Sequence, residues 1–188
     1  LGVPQTYPAE KINGIIVSGF LTPDRKFTYT SPPEIKDEIE QIVGNYLFDI
    51  DADNYKLLLQ QIYDMTEKRF DLAEHFLHTR EWDFFMMVEM GTDRIQHFFW
   101  KFFDSEHPDY NPENQYKDAV RNYYKYIDSR IGELLNHADN ETLILIVSDH
   151  GAQKITAGFA INEWLIDRGY LQLKDEVTDK PVSIADAD

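Results

Sequence analysis

The feature that most constrains the fold is a short run of branched apolar residues followed by three residues of a different kind. Residues 142–148 read Thr-Leu-Ile-Leu-Ile-Val-Ser, and Asp149, His150 and Gly151 come directly after them. Such a run predicts a strand buried on both faces, as in the centre of a parallel sheet. Because ligands of open α/β sheets bind outside the carboxyl ends of the strands, the carboxylate and the imidazole predict a metal-ligand corner.

A second motif repeats this arrangement. Residues 81–90 predict another strand, which Gly91 and Thr92 close, and Asp93 and His97 follow four residues apart. On a helix two residues at this spacing face the same way. Each motif also has a plainer interpretation, with the Asp as a helix cap and the His as an ordinary loop or helix-face residue. An Asp–His pair after each of two strands favours the metal interpretation.

The whole chain alternates between strand and helix patterns. The patterns predict an α/β fold, a mostly parallel sheet flanked by helices, in a single domain over residues 1–188. We expect the aromatic cluster Phe98, Phe99, Phe102 and Phe103 to pack a helix against this sheet. The predicted helices span 33–44, 53–80, 93–103, 113–137 and 162–168, and the predicted strands or extended segments span 11–20, 81–90, 142–148 and 170–173.

Composition limits the partners. The chain holds 18 Lys and Arg against 34 Asp and Glu, a net charge of -16, so we expect no nucleic-acid binding surface and no membrane partner. The same charge repels a phosphate ester unless bound cations invert the local field. There is no Cys, which excludes disulfides, thiolate catalysis and zinc-thiolate sites. No apolar run reaches the ~18 residues of a membrane span, and we expect a cytoplasmic location.

The two motifs together resemble a known family. Asp93-x-x-x-His97 followed by Ser148-Asp149-His150-Gly151 resembles the alkaline phosphatase superfamily, and within it the type I phosphodiesterase/nucleotide pyrophosphatase branch. The resemblance covers most of residues 1–172 and implies an alkaline-phosphatase-like fold. Further stretches that carry it are Pro4–Pro8, Asn13–Phe20, Val88–Arg94 and Ile161–Ile166.

The resemblance implies a metal-dependent phosphohydrolase with two divalent ions, usually zinc, with manganese as the alternative. By motif, Asp93 and His97 would bind one ion, and Asp149 and His150 the other. In such a pair one ion activates the hydroxyl nucleophile, the other stabilises the leaving oxygen, and both clamp the phosphoryl group of a small phosphate-ester substrate.

The chain also departs from the family pattern. No His follows His150, although the family uses a downstream His as a third ligand. A strand that ends in an upstream Asp is missing, and none of the ten Thr lies in the context of the family's nucleophile. We therefore expect this chain to be an internal portion of a longer enzyme. It would lack the N-terminal and C-terminal segments of the catalytic domain. The nucleophile would lie outside it, and the chain alone would be inactive or nearly so.

Three classes of function remain open on the sequence. The first is the phosphodiesterase/nucleotide pyrophosphatase-like hydrolase. The second is a phosphoglycerate-mutase-like or sulfatase-like enzyme on the same scaffold. The third is a non-catalytic binding module, because half of the family's ligand set is missing. The sequence does not fix the substrate or the oligomeric state.

Overall fold

The structure is a computed structural model that describes residues 1–155 and 157–172. The chain divides into two compact units, residues 1–154 and residues 155–188. The first unit contains two short strands and four helices, and the second contains one helix within its described part. The elements are β1 (Ile16–Val17), β2 (Thr30–Ser31), α1 (Ile35–Val43), α2 (Tyr55–Thr79), α3 (Gly91–Phe103), α4 (Ala119–Leu135) and α5 (Ile161–Asp167).

The regular sheet of the described residues is small and antiparallel, with β1 paired to β2. Parallel contacts lie beside it. Val3 and Ser18 form a parallel bridge. The Leu1 amine donates to the Met86 carbonyl at 2.7 Å, and the Leu1 carbonyl accepts from the Val88 N–H at 3.1 Å, the pattern of parallel neighbours. The chain is therefore α/β, and a mostly parallel sheet is not present in the described part.

The prediction of regular strands at residues 81–90 and 142–148 is wrong for this structure. Residues 84–90 belong to no regular strand, and the two backbone hydrogen bonds with Leu1 described above are too few for a ladder. Residues 142–148 pair with no strand within the described ranges, and Leu145 and Val147 are 75% and 85% exposed. An apolar run predicts burial, but a strand also needs a hydrogen-bonding neighbour on each side, which the run itself does not specify.

Helix α2 is the longest element, and its ends follow from the sequence. The Asn54 side chain caps it by accepting a hydrogen bond from the Leu57 N–H at 3.0 Å. Four of its buried residues recur three or four positions apart along one face, Ile62, Thr66, Phe70 and Ala73. The buried surface is wider than this face because α2 packs against α1 and also against α3 and α4. The additional buried positions are Leu58, Met65, Arg69, Leu72 and Phe76.

The other predicted helices of the first unit are confirmed with shifted ends. Helix α3 begins at Gly91 rather than Asp93. Helix α4 begins at Ala119 rather than residue 113. The side chains of Asn111 and Asn114 each accept from the backbone N–H two residues later, at 2.9 Å, which holds the preceding segment in turns instead of a helix.

Two apolar clusters stabilise the first unit. One lies between α1, α2 and the β1–β2 hairpin, and the other lies between α2, α3 and α4. The second cluster places the start of α3 against two long helices. Its buried members are Leu58, Ile62, Ile95, Phe99, Ala119, Tyr123 and Ile127. The first cluster consists of Val17, Tyr29, Ile35, Ile39, Tyr46, Phe48, Leu72 and Phe76.

The second unit contains α5, which ends before Gly169 at a φ of +72°, a conformation that suits glycine. Trp164 stacks loosely with Phe159 and Tyr170, with ring centroids 6.3 Å and 6.2 Å away. The strand predicted at 170–173 is not formed in residues 170–172, and residue 173 lies outside the described residues. Among the helices that the structure describes, none is both long and apolar enough to cross a membrane.

Candidate metal centre

The first predicted ligand pair lies at the start of α3. Asp93 is in the first turn of the helix and His97 is one turn later. Their side chains meet, with His97 Nε2 3.2 Å from Asp93 Oδ1. The imidazole is 54% exposed, so a cation can approach it from solvent. The pair therefore offers one oxygen and one nitrogen donor side by side.

Arg94 fixes the carboxylate of Asp93. Its Nη1 donates to Asp93 Oδ2 at 2.7 Å, while Nε and Nη2 donate to the two carboxylate oxygens of Asp49 at 2.6 and 2.8 Å. The guanidinium also lies over the Phe20 ring, 4.8 Å from its centroid. The hydrogen bond to Asp49 is the main cause that raises the pKa of Arg94. This arrangement leaves Asp93 Oδ1 directed toward His97, as in a metal ligand oriented by its neighbours.

The second predicted pair follows residues 142–148. Asp149 and His150 are 88% and 65% exposed, and His150 Nε2 lies 3.6 Å from Asp149 Oδ2. His150 Nδ1 lies 2.9 Å from the Gly151 carbonyl, and the Ser148 hydroxyl donates to the His150 carbonyl at 2.5 Å. The contact with Gly151 directs Nε2 away from the backbone. The imidazole therefore presents the nitrogen that a metal ion would use.

The surroundings of His150 favour its protonated form. The hydrogen bond to the Gly151 carbonyl is the main cause that raises the pKa of His150, and the charge of Asp149 adds to it. In residues 1–155 and 157–172, no group of three or more His, Cys, Asp or Glu is arranged to hold a metal ion. The pairs are two half-sites, each with two donors.

Three His outside the two pairs make polar contacts within the fold. His75 lies 2.7 Å from Glu38 Oε1, and His137 lies 3.5 Å from Glu74 Oε1. His107 Nδ1 accepts from the Asp109 N–H at 3.1 Å. His137 lies beyond the last residue of α4 and contacts a side chain of α2.

The aromatic cluster of α3 is only partly a core element. Phe99 is fully buried between α2, α3 and α4, and Phe102 packs partly against it. Phe98 and Phe103 are 39% and 38% exposed. The prediction that the four rings pack a helix against the sheet is wrong. Phe99 and Phe102 pack against α2 and α4 instead, and Phe98 and Phe103 are exposed because only one face of α3 meets its neighbours.

Sequence reasoning missed Asp49 and the residues that support the start of α3. Asp49 lies in the acidic stretch Asp49–Asp53 and meets Arg94 from 45 positions away. Nothing in the local pattern of either residue indicates that contact. The Arg94 guanidinium forms salt bridges with both Asp49 and Asp93.

Comparison with known proteins gives a family. A model of the type I phosphodiesterase / nucleotide pyrophosphatase family matches residues 2–187. The chain belongs to this family. Membership implies hydrolysis of phosphoester bonds and places the chain in the alkaline phosphatase superfamily. No curated protein and no solved structure shows a match to the chain.

Proposed function

We propose that this protein is a metal-dependent hydrolase that cleaves small phosphate esters, phosphodiesters or nucleotide pyrophosphates, by a two-metal mechanism. Asp93 and His97 would bind one divalent ion, and Asp149 and His150 the other. The observation that carries the proposal is the Asp93–His97 pair, whose imidazole is exposed and whose donor atoms lie 3.2 Å apart within the stretch that the family matches.

The chemistry of the donors fits a divalent ion. Carboxylate oxygen and imidazole nitrogen are ligands that zinc accepts, and manganese accepts carboxylates well. When bound, such ions supply positive charge at the phosphoryl group. That charge is needed here, since the net charge of the chain is -16 and an anionic ester is otherwise repelled.

The side chains around the pairs have defined tasks in this proposal. Arg94, held by Asp49, keeps one oxygen of Asp93 occupied and the other directed toward His97. The contact between His150 Nδ1 and the Gly151 carbonyl favours the tautomer with a proton on Nδ1, which leaves Nε2 free to bind an ion.

We also propose that this chain carries only part of the site. A catalytic zinc ion usually has three protein ligands and a water, whereas each pair here supplies two. Further ligands and a hydroxyl nucleophile would come from residues outside these pairs, within an alkaline-phosphatase-like domain whose sheet is mostly parallel. The parallel bridge between Val3 and Ser18 and the parallel hydrogen bonds of Leu1 support that sheet.

A substrate panel tests the proposed reaction. The whole enzyme is assayed on bis(p-nitrophenyl) phosphate, p-nitrophenyl phosphate and p-nitrophenyl sulfate, after chelation and again after addition of zinc or manganese. We expect the diester to be cleaved fastest, chelation to abolish turnover, and either metal to restore it. Fastest cleavage of the sulfate would favour the sulfatase-like alternative, and turnover that resists chelation would contradict the proposal.

Two variants sharpen this assay. Asp93→Asn removes a proposed ligand and should lower turnover by orders of magnitude, since the loss of one member of a cooperative site costs nearly as much activity as the loss of all its members. Asp37→Asn removes an exposed carboxylate from the first turn of α1 and should leave turnover unchanged. The 188-residue chain by itself should turn over little or nothing, and metal-dependent hydrolysis by it would contradict the partial site.

A further inference from the structure

A polar cluster lies beneath the start of α3. We call Thr66, Glu89 and Tyr123 the anchor cluster. Thr66 comes from α2, Tyr123 from α4, and Glu89 from the segment that leads into α3. The Thr66 hydroxyl lies 2.7 Å from the Tyr123 hydroxyl, and both lie near Glu89 Oε1, at 3.1 and 3.2 Å. One carboxylate oxygen thus joins three parts of the chain.

The same oxygen holds the backbone of α3. Glu89 Oε1 accepts from the Gly91 N–H at 2.6 Å, and the Thr92 hydroxyl donates to the Glu89 carbonyl at 3.1 Å. Gly91 is the first residue of the helix, where N–H groups have no partner within the helix and a negative charge is favoured. Glu89 therefore replaces the side-chain cap that Met90 does not provide.

Two of the three side chains of the anchor cluster are enclosed by the helices. Thr66 and Tyr123 are fully buried, and Thr66 also donates to the Ile62 carbonyl at 2.9 Å. Burial raises the pKa of the Tyr123 phenol, so the hydroxyl stays protonated and remains a donor. A Cβ at Gly91 would lie only 1.8 Å from the Tyr123 hydroxyl oxygen, so the helix start and the phenol are in direct contact.

We propose that Thr66, Glu89 and Tyr123 are positioning residues for the metal ligands Asp93 and His97. Asp93 lies two residues after Gly91, and His97 lies one turn further along the same helix. A shift or rotation of the first turn of α3 moves both side chains together. This inference rests on the proposed function, because it assumes that Asp93 and His97 bind an ion.

Zinc calorimetry on the purified protein tests the proposal. Tyr123→Phe keeps the packed ring and removes the hydroxyl, and Thr66→Val keeps the shape and removes the other hydroxyl. We expect each variant to weaken zinc binding on the order of 10-fold, the lower end of the effect of residues that orient metal ligands. Glu89→Leu should weaken it further, and Glu89→Gln, which keeps an acceptor oxygen for the Gly91 N–H, should recover part of the loss.

Tyr29→Phe is the matched control. The Tyr29 hydroxyl of the wild type is also buried, and it has no hydrogen-bond partner within the described residues. It should leave zinc affinity unchanged even if the free energy of unfolding changes, which separates positioning from general stability. Equal zinc affinity in Tyr123→Phe, Thr66→Val and Tyr29→Phe, or no recovery by Glu89→Gln relative to Glu89→Leu, would overturn the proposal.

Asp93→Asn and His97→Ala in the same calorimeter separate the two proposals. If both variants bind zinc as the wild type does, the proposed metal site fails and the positioning role fails with it. If both lose affinity while the variants of the anchor cluster match Tyr29→Phe, only the positioning role fails.

Discussion

At the scale of single residues, the carboxylate of Asp93 is held from both sides. Arg94 occupies one of its oxygens, and His97 lies beside the other. The bidentate pair between Arg94 and Asp49 is of the strong, directional kind, and the guanidinium is largely buried. A carboxylate restrained in this way loses little conformational freedom when it binds an ion, because its position is already set before the ion arrives.

Tyr29 gives a prediction about alkaline pH. Burial is the main cause that raises the pKa of its phenol to about 12. Because the folded state keeps this proton longer than the unfolded state, the stabilising effect is complete below pH ~10 and is lost as the pH rises through about 12. The free energy of unfolding of Tyr29→Phe should therefore fall less steeply than that of the wild type as the pH rises between these values.

The measurement is the free energy of unfolding in urea at a series of pH values from roughly 8 upward, which covers the range in which tyrosine titrates. Tyr170→Phe removes a phenol that is 76% exposed and serves as the control. The same pH dependence in Tyr29→Phe and in the wild type would contradict the assigned burial effect.

At the scale of elements, the helices were predictable and the sheet was not. A helix makes its own hydrogen bonds, so the apolar period was enough to place α2 within two residues at its start. A strand depends on distant partners. Residues 142–148 have a strongly apolar pattern, yet the neighbours that would bury them are not specified by that pattern.

The candidate site, too, was predictable from the sequence only in part. The spacing of Asp93 and His97 on one helix predicted their contact correctly, since residues four apart on a helix are neighbours. The support of that pair was not predictable, because Asp49 and Tyr123 reach it from distant parts of the chain. Whether Asp149 and His150 complete a metal site stays a prediction.

The start of α3 gives a prediction about packing. Gly91→Ala places a methyl group 1.8 Å from the Tyr123 hydroxyl oxygen, which is fixed by Thr66. Overpacking of this kind costs about 1–3 kcal/mol, and we expect a loss of unfolding free energy in that range. Urea unfolding measures it.

Gly132→Ala is the matched control. Gly132 lies within α4 and has open space where the Cβ would stand. Since Ala favours a helix over Gly by about 1 kcal/mol, this variant should be stabilised. A Gly91→Ala protein as stable as Gly132→Ala would contradict the close packing beneath α3.

At the scale of the whole molecule, the acidic composition and the proposed reaction are compatible only through bound cations. The chain carries a net charge of -16, and both Asp–His pairs add carboxylates where an anionic ester would bind. Divalent ions would reverse that field locally while the rest of the surface stays negative. Family membership and the two pairs thus support the same account, in which metal binding precedes substrate binding.

The most direct test of this account is zinc binding by calorimetry in the wild type, His97→Ala, His150→Ala and His75→Ala. His97 and His150 belong to the proposed pairs, whereas His75 contacts Glu38 between α1 and α2. We expect His97→Ala and His150→Ala each to weaken binding by at least roughly 10-fold, because each removes one of two donors at its ion, and His75→Ala to bind as the wild type does. Zinc binding that survives unchanged in both His97→Ala and His150→Ala would contradict the assignment of these residues as metal ligands.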